Sequence, residues 1–193
     1  MVYKINYFKN NIMRNLQMIG FNKATLLMTI AVFLISINTK AQNGRISKEE
    51  MNKLSSWVGT WKGQGWQTDP ETRERISFQV EEKVESKLNG LALMVEGKGM
   101  SGDKLGHHAM AMVYYNLDKG YFEFHSLVMQ GMATLAKGEF NEKGEFIWGF
   151  EIPQGEIKYT IKIEGDTWTE SGAFSMDGST WYPTMEMKLS RVK

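Results

Sequence analysis

A closed antiparallel β-barrel of about ten strands, preceded by a short helix, is the fold class this sequence predicts. Three observations carry that prediction. Apolar residues recur at every second position over most of the chain, the period of a strand with one buried face. Turn-forming residues interrupt these runs roughly every 10–15 residues, the spacing of consecutive hairpins. No stretch shows the alternation of strand and helix that a parallel sheet needs, and the 193 residues include only three prolines and no linker that would divide the chain.

The N-terminal segment holds part of the chain's basic charge. Residues 1–41 hold Lys4, Lys9, Arg14, Lys23 and Lys40 and no acidic residue. Within them Ala24 to Ile37 is an uncharged, mostly apolar run. As a helix it would span about 21 Å, short of a ~30 Å hydrocarbon core. A basic flank, a short apolar stretch and then Thr39-Lys40-Ala41 predict a secretory signal over 1–41, cleaved near Ala41. The expected location is therefore periplasmic or extracellular, with no stable transmembrane segment after processing. The remaining domain, 42–193, keeps 18 basic against 22 acidic residues, about −4. Its basic residues are scattered, so it lacks the clustered cationic face that nucleic acid requires. With no cysteine there is no disulfide, no thiolate metal site and no thiol nucleophile. Stability must come from the core, which a domain of this size can supply.

The elements follow in order. Ser47-Lys48-Glu49-Glu50 has capping-box spacing, and Met51, Leu54 and Val58 continue at helical steps, which predicts a helix over 47–56. Strands are predicted over 56–66, 74–88, 91–99, 107–115, 121–128, 132–140, 145–152, 156–164, 166–174 and 180–192. The alternation is cleanest in Ile157, Tyr159, Ile161 and Ile163 against Lys158, Thr160, Lys162 and Glu164. Asn89-Gly90, Asp118-Lys119-Gly120, Gly165-Asp166 and Asp177-Gly178 are among the turns between them. Ten strands in a meander leave two edges exposed unless the sheet closes. A barrel wider than about eight strands begins to enclose a cavity.

The faces expected to point inward are rich in methionine and aromatics. Trp148, Tyr159, Met185 and Met187 are the expected apolar lining of a ligand cavity, with His125 and Glu123 as polar contacts. Gly59-Thr60-Trp61-Lys62-Gly63 opens the first strand, and Leu189-Ser190-Arg191-Val192 closes the last. Together they resemble the Gly-x-Trp start and terminal basic residue of lipocalins and their calycin relatives. The resemblance implies that Trp61 plugs one end of the barrel and that Arg191 stacks on it, a structural pair outside any ligand site. Leu88-Asn89-Gly90, Asp177-Gly178-Ser179-Thr180-Trp181 and the Glu186 to Arg191 stretch are similar to a family of exported bacterial barrels of unknown function, related to nitrobindin-like haem barrels. Those barrels hold haem through a histidine on the final strand. This chain has no histidine after His125, so that mode is not expected, and haem on His107, His108 or His125 would need another geometry. The reading assigns no cofactor.

Pairing Tyr115 with Tyr121 keeps His125 remote from His107 and His108, which themselves point to opposite faces, so no metal site is expected. No Gly-x-Ser-x-Gly elbow occurs, and the Gly-rich stretch Glu96 to Gly102 lacks phosphate-loop spacing and is read as a turn. Glu123 and Glu170 remain candidate acid–base groups if either faces an apolar cavity. The expected function is a non-catalytic exported binding protein for a small apolar molecule, lipid-like or porphyrin-like. The alternatives are an isomerase- or hydratase-type enzyme using a cavity carboxylate, and a ligandless interaction module of the envelope.

Overall fold

The structure is a computed structural model that describes residues 43–193 except 70. The signal segment expected over 1–41 lies outside the described residues. A helix, α1, occupies 43–52, and a single 3-10 turn follows at Ser55–Trp57. The strands are β1 (Gly59–Thr68), β2 (Arg75–Lys87), β3 (Ala92–Ser101), β4 (Lys104–Asn116), β5 (Tyr121–Val128), β6 (Ala133–Phe140), β7 (Phe146–Ile152), β8 (Gly155–Glu164), β9 (Thr167–Ser175) and β10 (Tyr182–Arg191). Each pairs antiparallel with its neighbours in sequence, and β10 pairs back to β1, so the ten-stranded sheet is closed. Among the described residues no helix is long and apolar enough to cross a membrane.

The helix begins and ends earlier than its capping-box motif predicts. Ser47 lies inside α1, and the chain tightens beyond Glu50, with the N–H groups of Lys53, Leu54 and Trp57 bonded to carbonyls three residues back at 3.0 Å. That winding delivers both Leu54 and Trp57 to the core and delays β1 to Gly59. The Gly-rich stretch read as a turn is also corrected. Glu96 to Gly99 lie within β3, and the turn is confined to Gly102 and Asp103. Gly97 and Gly99 belong to the wall because a Cβ at Gly97 would stand 2.4 Å from the Glu82 carboxylate, and one at Gly99 would stand 3.2 Å from the His107 Cβ. The β4–β5 register is one residue off the expected one, with Asn116 opposite Tyr121 and Met112 opposite His125. Asn116 sets this turn, its side-chain oxygen accepting the Asp118 and Lys119 N–H groups at 3.1 Å.

The core fills one end of the barrel. Inner-face residues near the starts of the odd-numbered strands and the ends of the even-numbered ones, such as Trp61, Val84, Leu93, Phe146, Trp168 and Leu189, are all buried there. Trp57 enters from below and meets the rings of Phe146 at 5.1 Å and Trp168 at 5.2 Å, while Trp61 meets Trp168 edge-on at 5.5 Å. Each such pair adds about 0.5–1.5 kcal/mol beyond burial. Trp61 donates its indole N–H to the Trp57 carbonyl at 2.8 Å. Arg191, opposite Trp61 in register, lays its guanidinium 3.9 Å from the Trp61 ring centre. The same group donates to the Val58 carbonyl at 2.6 Å, the Ser56 carbonyl at 2.8 Å and the Asp166 carboxylate at 3.1 Å. One cation thus ties the last strand to the segment that seals the barrel.

Candidate functional site

Above the plug the barrel is not filled. The inner-face side chains of Trp148, Phe150, Ile157 and Tyr159 on β7 and β8 each retain accessible surface, as do Val95, Ala109 and Ala111 on β3 and β4. The two walls differ in kind. Across the ring of strands from β8, the inner positions of β3 and β4 include Gly97, Gly99, Ala109 and Ala111, between Val95 below and His107 toward the open end. Small residues on that side and large rings on the other leave space between them.

The large side is an aromatic ladder running around the wall. Trp148 stacks on Phe124 at 5.0 Å with an interplanar angle of 1°, and on Tyr159 at 4.2 Å and 17°. Register explains the ladder, because Trp148 lies opposite both Gly138 and Tyr159, and Tyr159 opposite Gly172. A Cβ at Gly172 would stand 2.6 Å from the Met185 Cγ and 2.9 Å from the Tyr159 ring, so glycine is what lets both lie flat against β9. Met185 and Met187 complete this side from β10, opposite Gly172 and Glu170.

Two carboxyl groups share the interior. Glu170 is buried on β9, its oxygens accepting the Trp148 indole N–H at 3.3 Å and that of Trp168 at 3.4 Å. Burial pushes its pKa up to about 7 despite those two donors. Glu82 stands on β2 in phase with Val80 and Val84, with its carboxylate over Gly97. It is closely surrounded by protein yet keeps accessible surface, as a side chain facing a cavity does. Burial, and then the charge of Glu170, push its pKa up to about 8. Tyr159 is raised to about 12 by burial and by Glu170. His107 lies opposite Gly99 near the open end, where solvent reaches its ring, and enclosure by the wall and then His108 lower its pKa.

The two polar candidates from β5 stand elsewhere. Glu123 and His125 alternate with the core residues Phe122 and Phe124 and therefore face outward. Glu123 is covered on the outer wall by Tyr114, which donates to it, by Lys119 Nζ at 2.7 Å, Asn116 Nδ2 at 3.1 Å and His125 Nε2 at 3.2 Å. The bonds from Lys119 and Tyr114 hold its pKa down to about 2. It is a brace of the β4–β5 hairpin, ionised at neutral pH and on the opposite face of the wall from the interior carboxyl pair. His108 also faces outward, bonded to Glu96 at 2.9 Å. The inner face of β10 offers Met185, Met187 and Leu189 and no histidine, so these residues do not fit haem held from the last strand.

The wall itself has a slot. β6 and β7 pair only from Lys137 and Gly149 to Phe140 and Phe146. Beyond that point a cleft of about 1070 Å³ is lined both by the inner residues Thr134, Ala136, Phe150 and Ile157 and by the outer residues Leu135, Lys137 and Glu151. Residues of both faces line the cleft where β6 and β7 part.

Closed barrels of this kind occur among solved structures. Rv2717c from M. tuberculosis has a TM-score of 0.60 and 15% identity to this chain, over 74% of this chain and 97% of its own. The S-type phycobiliprotein lyase CPES from Guillardia theta has a TM-score of 0.54 and 11% identity, over 79% of this chain and 97% of its own. The fold is a lipocalin-like, calycin-type barrel. No family model matches the sequence, and no curated protein matches it significantly. Identities this low speak to the fold alone.

Sequence reasoning named Trp148, Tyr159, Met185, Met187 and Glu170, which register places on one stretch of wall. It passed over Glu82. The signal was present, since Phe78, Val80, Glu82 and Val84 form one alternating series.

Proposed function

We propose that this chain is an exported, non-catalytic binding protein that holds a small, largely apolar molecule in the hollow half of its barrel. The observation that carries the reading is the facing of the Trp148–Tyr159 ladder against the small residues of β3 and β4, which leaves an accessible interior on a sealed base. Burial against ring edges and the Met185 and Met187 thioethers supplies affinity without directional demands. The slot between β6 and β7 gives such a molecule a lateral way in. That a phycobiliprotein lyase shares the barrel supports a pigment-sized ligand among the lipid-like and porphyrin-like candidates. Export rests on the basic flank and apolar run of residues 1–41, and intact mass of the secreted protein tests it by showing cleavage near Ala41.

Binding is tested with Nile red, an uncharged apolar dye. The protein is expected to brighten and blue-shift the dye, and Trp148→Ala to weaken that binding at least about fivefold through loss of aromatic burial. Equal dye affinity in both proteins would refute the site. A second reading, acid–base catalysis, is favoured by one specific observation, the raised carboxyl groups of Glu82 and Glu170 in a cavity. A bound molecule that the protein converts, with conversion stopped by Glu170→Gln, would establish that reading instead.

A further inference from the structure

The interior carboxyl pair is poorly provided for by the protein itself. No hydrogen bond or ion pair from a described residue reaches Glu82. Glu170 receives only two long indole bonds, of 3.3 and 3.4 Å, although a carboxylate has about four acceptor sites. The inner-face neighbours are Trp61, Val80, Val84 and Gly97 around Glu82, where the Trp61 indole N–H is already taken by the Trp57 carbonyl, and Ile161, Trp168, Gly172 and Met187 around Glu170. The other titratable groups on the inner face above the plug are Tyr159 on β8, which feels the charge of Glu170, and His107 on β4 near the open end. Above the Trp61 plug no Lys or Arg of the described residues stands on the inner face, because Lys62, Lys83, Lys98, Lys158 and Lys188 all alternate to the outside.

Buried acids are ordinarily matched by a cation or by several donors. Here two lie within electrostatic reach of each other in a cavity that holds neither. We propose that the missing partner is the ligand: an apolar molecule bearing one protonated amine or amidine, whose nitrogen is received between Glu82 and Glu170. This deepens the binding reading above and rests on it. The rest of the cavity suits the apolar body, with the Trp148–Tyr159 ladder and Met187 beside the acids. The pair also sets selectivity. An anionic head group in the same position meets like charge or forces both carboxyls to stay protonated, whereas a cation favours their ionised form. Since the free barrel holds protons on this pair near neutrality, cation binding expels protons into the solvent.

Three probes with one ring system separate the outcomes: naphthylmethylamine, naphthylmethanol and naphthoate, titrated calorimetrically into the full chain near neutral pH. The amine is expected to bind at least about tenfold more tightly than the alcohol, the lower end of what one opposite charge at close range contributes, with naphthoate weakest. Repeating the titration in two buffers of different protonation enthalpy is expected to show proton release with the amine alone. In the Glu82→Gln, Glu170→Gln double variant the amine-to-alcohol ratio falls to within about twofold of unity. An outer-face control, Glu139→Gln, keeps the ratio. If the amine and the alcohol bind alike, or naphthoate binds best, the cation inference is overturned while the barrel remains a binder of apolar molecules. If none of the three binds, the hollow-barrel reading fails and takes this inference with it.

Discussion

Replacing Glu82 with Gln removes one acid from the barrel interior while keeping its shape, and the effect on stability has a definite sign with pH. The folded protein holds the Glu82 carboxyl up at about 8, against 4.5 for the ordinary group. Between those values the native state carries a proton that the unfolded chain has lost, so stability falls as pH rises through this window. Below pH 4.5 the group contributes no penalty, and above about 8 the penalty is complete. A shift from 4.5 to about 8 sets a ceiling of ~5 kcal/mol at ~1.4 kcal/mol per unit. Solvent reaches Glu82 from the cavity, which screens part of that cost, so a gain of ~1–3 kcal/mol is expected for Glu82→Gln at about pH 8.5. At about pH 5 the two proteins should agree within ~0.5 kcal/mol. Urea unfolding followed by tryptophan fluorescence at both pH values measures this directly. Glu82 is a cleaner choice than Glu170, because an amide at Glu170 would turn an N–H toward one of its two indole donors. A midpoint that shifts equally at both pH values, or a variant less stable at high pH, would refute the reasoning.

Three further outcomes follow from other parts of the wall. Arg191→Ala removes the cation over Trp61 and leaves the Val58 and Ser56 carbonyls without their donor, costing about 2–4 kcal/mol in urea unfolding; a loss under ~0.5 kcal/mol would show that the base is sealed without it. Gly172→Ala forces a methyl against Met185 and Tyr159, so it costs about 1–3 kcal/mol and disturbs Nile red binding, whereas Gly144→Ala strains an exposed turn at φ +76° and leaves Nile red binding unchanged. Glu123→Gln weakens the outer brace by about 1 kcal/mol at neutral pH. Because the folded group is held at about 2 against an ordinary 4.5, that difference is present above pH 4.5 and shrinks as the pH falls toward 2, which acid unfolding curves of the two proteins check.

The barrel was legible because a half-buried strand writes its period directly into the sequence. Residues 157–164 are an example, with Ile161 buried and the flanking Lys162 and Glu164 exposed and paired at 2.8 Å. Closure was legible through Trp61 and Arg191, whose roles depend on local motifs at the two ends of the chain. Which face a charged residue takes was harder to read. Glu123 and His125 sit among Phe122 and Phe124, so every position from Tyr121 to Phe124 is apolar or aromatic except Glu123, and alternation alone does not say which phase is inward. The β4–β5 register and the outer cover of Tyr114 and Lys119 settle that, and both are properties of the folded hairpin. The Gly-rich stretch around Gly97 was misread for a related reason. Glycine marks turns in sequence, but here it marks the places where Glu82, His107 and Phe78 approach the wall of β3.

The central claim is that the hollow half of the barrel holds a ligand, and native mass spectrometry tests it most directly. The protein, purified without detergent from the cells that make it, is weighed under native and denaturing conditions. A discrete additional mass that denaturation releases, and that Trp148→Ala fails to retain, is the predicted result. Identical native and denatured masses in the wild type, together with failure to take up any of the apolar probes, would contradict the account.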